Sequence, residues 1–303
     1  MAKVIIAIHG LRNKPPKDLL LEWGKQSIME GIANLGADLQ LPKLELVYWA
    51  DILHDRPLSL DEKDPRSPYF IDEPYIPSRK LKKIQNFIFR RRLYRLLKKA
   101  IYGIFLKEDF SLRFPKVSQK FIHSNFDELE VYFNEDCEAD EQACKRRDQI
   151  NQRLISVLEK HKDDDIMLVA HSMGTVIAFD VLSFLDLQTN IHAFVTMGSP
   201  LGAPFVLSRI ARLSKSKLQG HIKLQTPETV LKQWYNFADI KDPIAMDYKL
   251  AEEFKANSHG VKVQDQLVIN TYRANGKSNH HKSFGYLRTP EFIKVLIDFV
   301  NEK

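Results

Sequence analysis

Between Asp165 and Leu182 the chain passes from an unbroken apolar run, Ile166-Met167-Leu168-Val169-Ala170, into a helix-compatible run, Thr175 to Leu182. One short polar turn, His171-Ser172-Met173-Gly174, separates them. An apolar run with no alternation is what a strand buried on both faces requires, so this segment constrains the chain to a parallel sheet with helices above and below. A serine on so sharp a strand-to-helix turn sits in a strained backbone conformation with its hydroxyl exposed. It needs small residues two positions away on either side so that strand and helix can approach. Ala170 and Gly174 meet that need, alanine standing where glycine is more usual. The competing reading is a surface serine capping an ordinary helix, which predicts no partner residues elsewhere.

The rest of the chain alternates in the same way. Strand-like runs are expected at Val4 to Ile8, Leu44 to Trp49, Ile166 to Ala170, Ile191 to Met197 and Gln233 to Phe237. Helices are expected over Asp18 to Leu35, Glu141 to His161, Thr175 to Leu187 and Pro290 to Val300, the last with Phe292, Val295, Leu296 and Phe299 at helical spacing. Alternating elements of this kind give an α/β fold in three layers, a mostly parallel sheet between helices. One connection breaks the pattern. From about Ile52 to Asp140 the chain leaves the sheet, whereas connections in compact domains run to about 4 to 6 residues. We read residues 1–303 as one domain carrying a largely helical, cap-like insertion at about 52–140. An elaborated surface subdomain without a gating role is the alternative.

Composition narrows the classes. With 303 residues, 44% of them hydrophobic, the chain can bury a sizeable core. The opening apolar run ends at His9-Gly10, unlike a signal peptide, and no apolar stretch approaches the roughly 20 residues of a membrane span. Cys137 and Cys144 imply no disulfide framework and no metal cluster. A cytoplasmic protein is the expectation. The net charge of +6 is modest, and no nucleic-acid partner is expected. The basic residues are concentrated, however: Arg79 to Lys99 holds ten of them and no acidic residue, interleaved with Leu81, Ile84, Phe87, Leu93 and Leu96. Such a basic amphipathic stretch suits peripheral contact with an anionic membrane, or a solvated helix whose apolar stripe packs on the sheet.

A serine nucleophile needs a histidine base, an acid to orient that base, and N–H donors for an oxyanion. In a fold of this kind the acid follows a later strand and the histidine lies near the end. After Trp234-Tyr235-Asn236-Phe237 comes Ala238-Asp239-Ile240-Lys241-Asp242-Pro243, and Asp242 is the expected acid, with Asp239 as second choice. His280-His281 lies in a polar loop before the closing helix. His281 is the expected base, with His280 as alternative. The residue after the serine, Met173, offers one oxyanion N–H at a helix start. Leu11, just past Ile8-His9-Gly10, offers the other.

The motifs Ile8-His9-Gly10-Leu11, residues 170–175, Gly198-Ser199-Pro200-Leu201, residues 242–245 and residues 281–287 resemble those of the α/β-hydrolase superfamily, in its lipase and esterase-like branch. Gly198-Ser199-Pro200-Leu201 resembles the loop that follows the strand after the elbow helix in those proteins, so Ser199 is not the nucleophile. The resemblance implies a sheet that starts at the oxyanion strand and a Ser172-His281-Asp242 triad needing no metal or organic cofactor. It also implies a small-molecule or lipid ester as substrate. A non-catalytic scaffold for lipid or protein binding, and an acyltransferase, are the other readings.

Overall fold

The computed structural model describes residues 1–78, 102–107, 110–113, 132–133, 140–217, 224–245 and 248–302. Six strands form one fully parallel sheet in the order β2-β1-β3-β4-β5-β6. They are β1 (Lys3–Ile8), β2 (Lys43–Val47), β3 (Asp165–His171), β4 (Ile191–Met197), β5 (Val230–Asp239) and β6 (Val263–Val268). The two central strands are the most buried. All seven residues of β4 are buried, and in β3 the five from Ile166 to Ala170 are buried.

Alternate residues of each strand serve opposite layers. Val4, Ile6 and Ile8 of β1, with Ile166, Leu168 and Ala170 of β3, pack against Ile150, Leu154 and Leu158 of α3 (Glu141–Lys160) and against α4 (Met173–Phe184). On the other face Ile5, Met167, Val169, Val195 and Met197 meet Ile28 and Ile32 of α1 (Lys17–Asn34). Phe292, Val295, Leu296 and Phe299 of the last helix, α7 (Pro290–Asn301), complete that layer. The three-layer α/β fold is therefore real, and its core is two apolar slabs separated by the sheet. Local signals set the helix ends. The Asp140 side chain accepts from the Ala143 N–H at 2.9 Å at the start of α3, and Pro290 opens α7, where its missing N–H costs nothing.

Several boundaries differ from the sequence expectation. The helix after the serine begins at Met173, not Thr175, because the turn is tighter than the apolar pattern shows. A helix α5 (Pro204–Lys217) and the edge strand β6 were not expected. Between buried Val263 and Val268, β6 reads Gln-Asp-Gln-Leu with only partial burial, as an edge strand allows, so it lacks the apolar run that marked the others. Cys144 is disulfide-bonded, although neither cysteine was expected to pair.

The segment after β2 opens with a short helix α2 (Ala50–Leu53). Residues 54–78 then lie along α1 and the loop before the last helices. The Asn279 amide donates to both carboxylate oxygens of Glu73 at 2.7 and 2.9 Å, and Tyr75 donates to Glu30 at 2.6 Å. Further along the connection between β2 and α3, the Tyr132 hydroxyl donates to Asp180 on α4 at 2.9 Å and Tyr102 to the Gly202 carbonyl at 2.5 Å. The basic stretch Arg79 to Lys99 lies outside the described residues, as does Cys137. Among the described residues, no helix is long and apolar enough to cross a membrane.

Candidate active site

At the C-terminal edge of β3 the chain turns through Ser172 at φ 54° and ψ −127°, directly into α4. A non-glycine residue there is strained, and such strain persists only where the surroundings hold it. Here the Ser172 N–H donates to the Met197 carbonyl on β4 at 3.0 Å, and the Ser172 carbonyl accepts from Thr175 N at 2.9 Å and Thr175 Oγ1 at 2.7 Å. Two glycines make the turn sterically feasible. A Cβ on Gly174 would lie 2.7 and 2.8 Å from the His9 and Ile8 carbonyl oxygens, and one on Gly10 would lie 2.7 Å from the Ser172 Cβ.

Ser172, His281 and Asp242 come together from β3, the loop before α6 (Ser283–Leu287) and the loop after β5. His281 Nε2 is 2.9 Å from Ser172 Oγ, and its Nδ1 is 2.8 and 3.0 Å from the two Asp242 carboxylate oxygens. The Asp242 side chain is fully buried. Backbone N–H groups of Ile244 and Ala245 donate to its Oδ1 at 2.9 and 3.4 Å, and the Tyr286 hydroxyl donates to its Oδ2 at 2.7 Å. A buried carboxylate supplied with this many donors keeps its orientation.

Asp239 and His280, the alternatives, form a separate pair at 3.2 Å. Asp239 works as a clamp on the loop. Its carboxylate accepts from Lys241 N at 2.8 Å and Asn270 N at 2.7 Å, and the Asn270 amide donates to the Lys282 carbonyl at 2.8 Å. The Ser199 hydroxyl is engaged by Thr175 Oγ1 at 2.8 Å and by the Leu201 N–H at 3.2 Å.

Two further histidines support the site, and the sequence reading gave neither a role. His9 accepts the Trp49 N–H on Nε2 at 3.0 Å, so its Nδ1 carries the proton and donates to the Gly10 carbonyl at 2.8 Å. Burial, with Lys14 nearby, pushes its pKa well down and keeps it neutral. Holding the Gly10 carbonyl on that side turns the opposite edge of the same peptide, the Leu11 N–H, the other way. The next residue, Arg12, has φ 72°, and the Lys14 ammonium ties together the carbonyls of Leu11 and Arg12. His171 donates from Nε2 to the His281 carbonyl at 2.6 Å, its ring 4.8 Å from that of His281. Burial first, then His281, lowers its pKa far enough to keep it neutral. Met173, as the first residue of α4, has an N–H with no acceptor inside the helix. The serine thus lies between a helix N-terminus and the loop bearing Leu11. Among the described residues, no cluster of histidine, cysteine or acidic side chains is placed to hold a metal ion.

A family model described as lecithin:cholesterol acyltransferase matches residues 143–235, under a third of the chain. The matched span runs from α3 through Ser172 into β5 and stops short of Asp242 and His281. Over that span the chain is similar to a family of lipid acyltransferases and esterases of the α/β-hydrolase class. No curated protein matches the chain.

Proposed function

We propose that this chain is a serine hydrolase that cleaves a carboxylic ester through an acyl-enzyme. One observation carries the reading: an unbroken line of hydrogen bonds from Ser172 Oγ through both ring nitrogens of His281 to the buried Asp242, with the serine held at φ 54°. A helix-capping serine needs neither the strain nor the partners.

In this mechanism Ser172 Oγ attacks the ester carbonyl carbon while its proton passes to His281 Nε2. Asp242 holds the Nδ1–H and stabilises the imidazolium. The N–H groups of Leu11 and Met173 receive the oxyanion, Met173 with the added potential of a helix N-terminus. Collapse returns the proton to the departing alcohol and leaves Ser172 acylated. Water, deprotonated by His281, then releases the acid. The similarity of residues 143–235 to lecithin:cholesterol acyltransferase supports a second reading, in which an acceptor alcohol takes the place of that water.

A fluorophosphonate probe tests the nucleophile. The wild-type chain is expected to label and Ser172→Ala to remain unlabelled, and labelling that survives the substitution removes the assignment. Hydrolysis of a p-nitrophenyl ester series, with and without an added long-chain alcohol, separates hydrolysis from transfer by whether a new ester accumulates.

A further inference from the structure

Tyr286 hydrogen-bonds neither the serine nor the base, yet its hydroxyl is committed on both sides. The phenol is fully buried. It accepts the Asp239 backbone N–H at 3.0 Å, which leaves its own proton for Asp242 Oδ2 at 2.7 Å, the same oxygen that lies 2.8 Å from His281 Nδ1. Its position is over-determined. It sits in α6, and at the adjacent Gly285 a Cβ would collide with the side chain of Asn270, whose backbone N–H donates to the Asp239 carboxylate at 2.7 Å. On the other side, a Cβ on Gly198, at φ 55°, would lie 2.9 Å from Asp242 Oδ2, 3.1 Å from His281 Nδ1 and 3.2 Å from Tyr286 Cε2. Gly198 is therefore the floor on which acid, base and phenol converge.

We propose that Tyr286 is a positioning residue for the acid: its hydroxyl fixes Asp242 against His281 and sets how much of the carboxylate's charge the imidazole receives. The proposal rests on the triad reading of Ser172, His281 and Asp242. Asp242 divides its negative charge among the His281 N–H, the Tyr286 O–H and two backbone N–H groups. Removing one donor leaves more of that charge facing the imidazole, which favours the imidazolium. A stronger donor does the reverse. Burial and the neighbouring Asp242 raise the phenol's own pKa well above its usual value, so it remains a donor throughout the working range.

The test is a titration of His281 by nitrogen-15 NMR in the full chain, beside a pH profile of kcat/KM on a p-nitrophenyl ester. In Tyr286→Phe, the His281 midpoint and the acidic limb of the profile are both expected to move to higher pH by about half a unit or more. The value of kcat is expected to fall about tenfold to a hundredfold with KM little changed. Replacing Tyr286 by 3-fluorotyrosine, a stronger donor of nearly the same size, is expected to move both to lower pH. In an Asp242→Asn background, Tyr286→Phe is expected to change kcat by less than about threefold, since no carboxylate charge is then left for the phenol to divide. Unmoved midpoints, equal shifts in the same direction for both replacements, or an undiminished loss in the Asp242→Asn background would each overturn the proposal. The NMR midpoint needs no turnover, so it decides the role of Tyr286 even if Ser172→Ala shows the nucleophile assignment to be wrong.

Discussion

The Cα of Gly10 lies so close over Ser172 that a Cβ there would stand 2.7 Å from the serine Cβ and 3.2 Å from its Oγ. The backbone after β1 and the elbow after β3 are in contact with no side chain between them. That contact brings the Leu11 N–H and the Ser172 hydroxyl to the same edge of the sheet. Gly10→Ala must push the two loops apart, and a displacement near 1 Å in a reacting geometry costs about a hundredfold. We expect kcat/KM on a p-nitrophenyl ester to fall by at least that factor while the thermal midpoint changes little. Activity within about twofold of wild type would show that the first loop plays no part.

The two acidic residues after β5 have different duties, and substitution should separate them. Asp242→Asn removes the carboxylate that takes the His281 Nδ1–H and is expected to lower kcat by about 10⁴, the scale seen when a triad acid loses its charge. Asp239→Asn keeps the backbone N–H that Tyr286 accepts and one side-chain oxygen for the Asn270 or Lys241 N–H. Its expected loss is within about tenfold, with lower thermal stability. Steady-state kinetics of the pair decides the matter, and a larger loss at Asp239 than at Asp242 would exchange their roles.

Most of the sheet was legible because the strands that build it are buried on both faces. Ile166 to Ala170 is apolar throughout, and only His192 and Thr196 interrupt Ile191 to Met197. β6 was not legible, because its partly exposed Gln264, Asp265 and Gln266 are tolerable only at an edge that the sequence does not announce. At the candidate site, that Ser172, Asp242 and His281 would come together was readable from their places in loops that follow strands. The roles of His9, His171 and Tyr286 were not. Each acts through a backbone group or a carboxylate distant in sequence, and neither spacing nor periodicity marks such a contact. The choice between Asp239 and Asp242 needed the turn closed by the Asp242 N–H on the Asp239 carbonyl at 2.9 Å, which leaves the two carboxylates with different partners.

Acid stability should depend on Glu45, on β2. Partial burial alone would raise its carboxyl pKa, but hydrogen bonds from Lys160 and His161 overcome this and hold it at about 2. A carboxyl depressed below its unfolded value of 4.5 stabilises the fold above that pH. The contribution is lost as pH falls from about 4.5 towards about 2. Urea unfolding of the wild type and Glu45→Gln should therefore differ most near neutral pH and converge in this window. A constant difference down to pH 2 would assign the effect to packing.

The most buried ion pair among the described residues ties α4 to α5 and lies against Tyr132. Arg209 lies 2.6 Å from Asp180 Oδ2, both side chains are nearly inaccessible, and the Tyr132 hydroxyl donates to the same oxygen at 2.9 Å. The guanidinium also lies 5.4 and 5.0 Å from the ring centres of Tyr132 and Phe133. Breaking a buried pair by removing one partner is costly, so Asp180→Ala is expected to cost about 3 to 5 kcal/mol of stability by denaturant unfolding. A well-packed apolar replacement of both charges, Asp180→Leu with Arg209→Met, is expected to recover most of that loss. The Tyr132 hydroxyl keeps Asn151 Oδ1 at 3.0 Å as a second acceptor, so the double variant need not strand it. If the double variant is no more stable than Asp180→Ala, then the cost lies in the lost contact between Tyr132 and Asp180 rather than in the charge.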